Sequence, residues 1–190
     1  MTIEKVDAGL QSSKRTRPVL YVVVHHTATR TPEATQRVLR ARGLSTHLEV
    51  APDGRVYEYL DPSKRVAWHA RAWNARGIGV DLTGPPGRTD SRPVRPYPQA
   101  QVDALARLVR HLVRRFGLPA LTDRSVLRWR RDRFVQQDGC CHDMRYSVIP
   151  HSAIQKGKVD PSDWRLDATA WDTVLRPAIL QVAASDGGEA

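Results

Sequence analysis

The sequence predicts a single α/β domain built on one central mixed β-sheet flanked by helices. Three observations carry that prediction. The run PVLYVVV at residues 18–24 is rich in β-branched residues and too short for a helix. The stretch THLEVAPDGRVYEYL sets two alternating segments on either side of Pro52-Asp53-Gly54, the chemistry of a hairpin turn. Residues 99–116 place Val102, Leu105, Leu108, Val109, Leu112, Val113 and Phe116 on one helical face. At 190 residues, 41% hydrophobic and 26% charged, the chain suits one ordinary globular core.

Taken in order, residues 1–17 read as a polar N-terminal arm and residues 18–183 as the domain proper. The first strand ends in His25 and His26. Neighbouring residues of a strand face opposite sides, so the two imidazoles have different surroundings. Thr31 and Pro32 read as an N-cap and first helical position, with Ala34, Val38 and Leu39 as a short apolar face before Gly43. After the hairpin, GIGVDL at 77–82 is a further strand, followed by a Gly/Pro loop to about residue 98. The long helix stops at Gly117. Residues 118–147 are Arg-rich and irregular, an elaborated loop or insertion with a short helix. A last amphipathic segment begins near Asp167, where Pro177 is expected to kink or end it, and 184–190 is a disordered tail.

Thirty Lys and Arg against 20 acidic residues leave a net charge of +10, which favours polyanionic partners such as nucleic acid, anionic lipid or anionic wall polymers. No zinc-finger spacing, basic zipper or aromatic RNA-binding signature accompanies the charge, so specific nucleic-acid binding is not expected. No apolar run is long enough for a transmembrane segment. The first residues lack the apolar core of a signal peptide, which points to synthesis in the cytoplasm. Cys140 and Cys141 are adjacent, a spacing that suits neither a disulfide framework nor, with His142, the usual zinc motifs. They read as free thiols in a loop.

Seven histidines are available. His111 lies within the long helix and reads as structural. His25 ends a strand, and His151 precedes Lys158 and Asp160 in a glycine-containing loop. Two imidazoles and a carboxylate suffice for a catalytic zinc that keeps its fourth position open. The spacing alone equally allows structural histidines, and the paired-histidine helix motif of metalloproteases is absent.

Four blocks, VVVHHTAT, THLEVAPDGRVYEYL, VAWHARAWNARGIGVDLTG and HSAIQKGKVDP, occur in the order seen in zinc-dependent N-acetylmuramoyl-L-alanine amidases. The chain resembles that family, which includes phage lysozyme-like amidases and shares its fold with animal peptidoglycan recognition proteins. The resemblance implies a Zn2+ site at one edge of the sheet, with His25, His151 and Asp160 as ligands and His26 turned to the other side. It implies a monomer that cleaves the amide between the muramic acid lactyl group and L-alanine of peptidoglycan. Lys158 would stabilise the oxyanion. The family's proton carrier is either a Tyr where this chain has Thr46 or a Glu where it has Asp81, and Asp81 is the expected one here. His69, Asn74, Thr46 and Trp68 are expected along the substrate groove. A non-catalytic recognition module of the same fold is the alternative. Phage lysin, exported effector and recycling enzyme all remain open as settings.

Overall fold

The computed structural model describes residues 1–84, 97–126, 147–151, 154 and 171–184. Val22, Val23 and Val24 are completely buried in β3 (Tyr21–His26), so their β-branched side chains pack on both faces of the sheet. β3 lies inside a six-stranded sheet of order β1-β5-β4-β7-β3-β8. The other members are β1 (Ile3–Lys5), β4 (Leu48–Val50), β5 (Val56–Glu58), β7 (Gly77–Leu82) and β8 (Val148–Pro150). β4, β7, β3 and β8 run parallel, while β5 turns back antiparallel to β4 through the expected hairpin. Four carboxyl ends therefore meet at one end of the sheet, where open α/β sheets bind their ligands.

One face of the sheet carries the main core. Val22, Val24, Leu48, Val50, Ile78, Val80 and Leu82 pack there against α2 (Gln99–Phe116). Leu105, Leu108 and Val109 of α2 are fully buried, and Gly117 ends the helix at φ 60°, in the left-handed region. Buried Gln101 donates through Nε2 to Val50 O at 2.7 Å and Thr83 O at 2.6 Å, tying the start of α2 to the carboxyl ends of β4 and β7. The opposite face has a smaller cluster of Tyr21, Val23, Ala70, Trp73, Ile149 and Ile154. α1 (Pro32–Ala41) starts as expected, with Thr31 Oγ1 accepting from Ala34 N at 3.2 Å.

Three expectations change. Residues 1–17 are no free arm: β1 pairs parallel to β5, and β2 (Ser12–Lys14) pairs with β6 (Arg65–Ala67). Edge strands are held by main-chain hydrogen bonds, so a polar sequence serves, and Ala8 and Leu10 are buried beside them. The first part of 118–147 belongs to the core, with Val126 fully buried and bridged to Val148. Buried Arg176 holds it, donating to Val126 O at 2.9 Å and Asp123 O at 2.8 Å. Residues 127–146, including Cys140 and Cys141, lie outside the described residues, as does 185–190 of the tail. Third, the last helical run passes through Pro177. A π-helical turn, Trp171–Leu175, runs straight into α3 (Arg176–Ala184), so the helical run does not end at the proline; the widened turn just before it is the local disturbance that a missing N–H causes inside a helix. Among the described residues no helix is long and apolar enough to cross a membrane.

Candidate functional site

The face opposite α2 carries a row of polar side chains across four strands. Glu49 of β4 is in register with Asp81 of β7, and Asp81 with His25 of β3. His151 follows Pro150, the β8 partner of Val24, and so extends the row. All four residues are buried, and His25, Asp81 and His151 form the floor of a groove of about 300 Å³, with Glu49 behind it. The groove is walled by α1, by the Thr27–Thr29 turn and by Trp68, with His25, His69, Asp81 and His151 among its lining. Trp68 and Val38 are the large apolar side chains exposed there. Ala28, in the turn after β3, has φ 58°, an uncommon conformation for a residue with a Cβ.

His25 is fixed from two sides. Its Nδ1 lies 2.9 Å from His151 Nδ1, and its Nε2 lies 2.9 Å from His69 Nδ1. Two neutral proton arrangements satisfy both contacts, and in each of them one of the facing Nδ1 atoms carries a proton. A cation shared by the two Nδ1 atoms would take the place of that proton, with the His25 proton on Nε2 and directed to His69. Ligand nitrogens about 2.0–2.1 Å from one Zn2+ lie within about 4.2 Å of each other, so this pair fits the ion. His69 then supplies the outer hydrogen bond that orients a metal-binding imidazole. Burial, then the neighbouring imidazoles, hold the His69 ring well below the usual histidine range, so it stays neutral. Its Nε2 is buried and makes no hydrogen bond among the described residues.

Space for that ring comes from Gly79. A Cβ there would lie 2.9 Å from His69 Cγ and 3.1 Å from its Nδ1. His47, next to Gly79, accepts from Gly79 N at 3.0 Å through Nδ1. Its Nε2 therefore carries the proton toward Arg65 O, 3.1 Å away. Burial lowers the His47 pKa to about 3. Arg15, from the supposed arm, closes this side by donating to Ala75 O at 2.9 Å and Gly77 O at 3.0 Å.

The remaining expected site residues divide. Trp68 borders the groove. His26, expected to turn to the other side of the strand, instead reaches the rim of the same groove, because it is the last residue of β3 and the chain turns there. Thr46 does not: it is fully buried and donates to Leu48 O at 3.3 Å. Asn74 serves the loop instead, its Oδ1 accepting from His69 N at 3.1 Å and Ala70 N at 2.6 Å. Those bonds cap the turn that presents His69. Lys158 and Asp160 lie outside the described residues. Among the described residues no three His, Cys, Asp or Glu side chains form a metal cluster.

Sequence reading passed over Glu49. Its carboxylate accepts from Thr35 Oγ1 at 2.7 Å, from Tyr59 Oη at 2.6 Å and from Thr83 Oγ1. Burial pushes it up to about 7, against the pull of those three hydroxyls. Strict alternation along LEV put it opposite Leu48 and Val50, and was the available signal.

The fold is shared with several solved proteins. Staphylococcus aureus hydrolase AmiA, solved with its ligand, matches at TM-score 0.64 and 18% identity, over 100% of this chain and 86% of that one. The E. coli amidase AmiD, in complex with anhydro-N-acetylmuramic acid-L-Ala-D-gamma-Glu-L-Lys, matches at TM-score 0.57 and 20% identity, over 89% and 57%. Drosophila peptidoglycan recognition protein SA matches at TM-score 0.51 and 20% identity, over 82% and 83%. No curated protein sequence matches significantly. The family model described as N-acetylmuramoyl-L-alanine amidase matches residues 15–163, which spans β3 through β8 and includes His25 and His151, and the chain belongs to that family.

Proposed function

We propose that the protein is a Zn2+-dependent peptidoglycan amidase, cleaving the bond between N-acetylmuramic acid and the L-alanine of the stem peptide. The observation that carries this reading is the pair of facing Nδ1 atoms of His25 and His151, buried beside Asp81 at the groove floor. His25, His151 and Asp160 would hold the ion, which when bound supplies Lewis acidity and an acidified water at neutral pH. His69 orients His25. Asp81 takes the proton of the attacking water and returns it to the leaving amine. Lys158 stabilises the charge that develops on the carbonyl oxygen. The exposed Trp68 offers an aromatic face to sugar or peptide at the groove edge.

Purified protein incubated with peptidoglycan should release new L-alanine N-termini, and a chelator should stop the release. Stoichiometric zinc without any new amino groups would favour the second reading, a recognition module. The shared fold with the Drosophila recognition protein and the shorter Asp81 are what support that reading.

A further inference from the structure

Glu49 is fully buried and does not line the groove, yet a chain of hydroxyls joins it to the wall. Thr35 Oγ1 lies 2.7 Å from Glu49 Oε1 and 2.6 Å from Thr29 Oγ1, and Thr29 Oγ1 lies 2.7 Å from Thr27 Oγ1. All three threonines border the groove. Each hydroxyl has one proton to give and two lone pairs to accept with.

An ionised carboxylate can only accept, so Thr35 must donate to it. Thr35 then has no proton for Thr29, so Thr29 gives its own to Thr35 at 2.6 Å, a far shorter contact than its alternative acceptor, Thr31 O at 3.5 Å. By the same count Thr27 donates to Thr29. The polarity of the whole chain is thus set at its buried end. At the groove, Thr27 and Thr29 are left with lone pairs and no free proton. Without the anion the protons could point the other way and the same wall would donate.

We propose that Glu49 is a positioning residue for substrate recognition: it polarises Thr35, Thr29 and Thr27 so that this wall accepts hydrogen bonds from peptide N–H groups of the stem. The inference rests on the peptidoglycan reading of the groove. Burial pushes the Glu49 carboxyl up to about 7, so at pH 8 the anion predominates. The titratable groups around it are Tyr59 beyond β5, its register partner Asp81 on β7, and Glu33 at the start of α1.

Two measurements at pH 8 test the proposal. Neutron diffraction of deuterated protein should place the Thr35 hydroxyl deuteron on the line to Glu49 and the Thr29 deuteron on the line to Thr35. A Thr35 deuteron directed at Thr29 overturns the polarity. With a soluble N-acetylmuramoyl tripeptide, Thr35→Val should raise KM about tenfold with kcat nearly unchanged, the usual scale for one mismatched polar contact. Thr35→Ser, which keeps the hydroxyl, should restore the wild-type KM. Equal KM in wild type and Thr35→Val overturns the role in recognition. If wild-type protein neither binds nor cleaves the muropeptide, the peptidoglycan reading falls, and with it the assignment of stem N–H groups. The deuteron positions still decide the polarity of the wall.

Discussion

Gly79→Ala should damage the proposed zinc site without touching either of the histidines proposed to hold the ion. The glycine has an ordinary strand backbone, so the substitution tests space alone. The new Cβ would sit 2.9, 3.0 and 3.1 Å from His69 Cγ, Cδ2 and Nδ1, where ordinary contact is 3.4–4 Å. The ring must withdraw by roughly half an ångström or more. The His69 Nδ1 to His25 Nε2 contact, now 2.9 Å, would then pass the limit of a useful hydrogen bond. Overpacking of this kind costs about 1–3 kcal/mol, and the lost bond adds about 1 kcal/mol. Removing the orienting partner of a metal-binding histidine typically lowers metal affinity about 10- to 100-fold. Denaturant melts of the metal-free protein measure the first effect, and competition with a zinc chelator the second. His69→Ala serves as the comparison, since it removes the hydrogen bond without adding bulk. Wild-type zinc affinity in both variants would refute the orienting role of His69.

Two further outcomes follow from the row of side chains. His25→Ala and His151→Ala should each abolish zinc binding measured by elemental analysis, whereas His26→Ala should retain it; loss in His26→Ala alone would reverse the ligand assignment. The Glu49 carboxyl is raised to about 7 from its ordinary 4.5, so between those values the folded protein holds a proton that the unfolded chain has released. Its contribution is therefore full below about pH 4.5 and is lost as pH rises through 7, a change of about 3 kcal/mol. Glu49→Gln should flatten that part of the stability profile in denaturant melts at pH 5 and pH 8, and identical slopes would count against the burial argument.

The large elements were legible because each carries its own periodicity. α2 shows its buried stripe and its stop at Gly117, and the hairpin shows its turn residues. β1, β2 and β8 are three residues each, and their partners rather than their composition hold them in place. His25 and His151 were legible as candidates through the family blocks, but their meeting is a tertiary fact: 126 positions separate them. Glu49 was invisible for a different reason. On the outward side of a hairpin strand a glutamate reads as solvated, and only α1 and Tyr59 folding over it make it a buried carboxyl. Gly79 likewise looks like a weak strand residue until His69 is seen lying over it. Thr46 and Asn74 show the reverse error. Proximity to the right motifs placed them at the groove, while their own hydrogen bonds turn them to the backbone.

The same hydrogen bonds narrow the choice of proton carrier. Thr46 directs its hydroxyl to Leu48 O and has no path to the groove. His69 has Nδ1 engaged with His25, and its ring is held neutral. Glu49 is enclosed by Thr35, Thr83 and Tyr59 and does not reach the groove lining. Among the described residues Asp81 is the carboxyl that does, between Glu49 and His25 in register and only 6% exposed. Its side chain is one methylene shorter than the glutamate of some amidases, so its reach, not its chemistry, is what sets it apart. Asp81→Asn keeps the shape and removes the proton acceptor; it should lower kcat about 100-fold or more while zinc stays bound. Asp81→Glu keeps the acceptor and lengthens the reach, and should retain far more activity than Asp81→Asn. Turnover by Asp81→Asn within threefold of wild type would remove Asp81 from the mechanism. Equal losses in both variants would instead show that the position tolerates only the aspartate shape, a packing role rather than a chemical one.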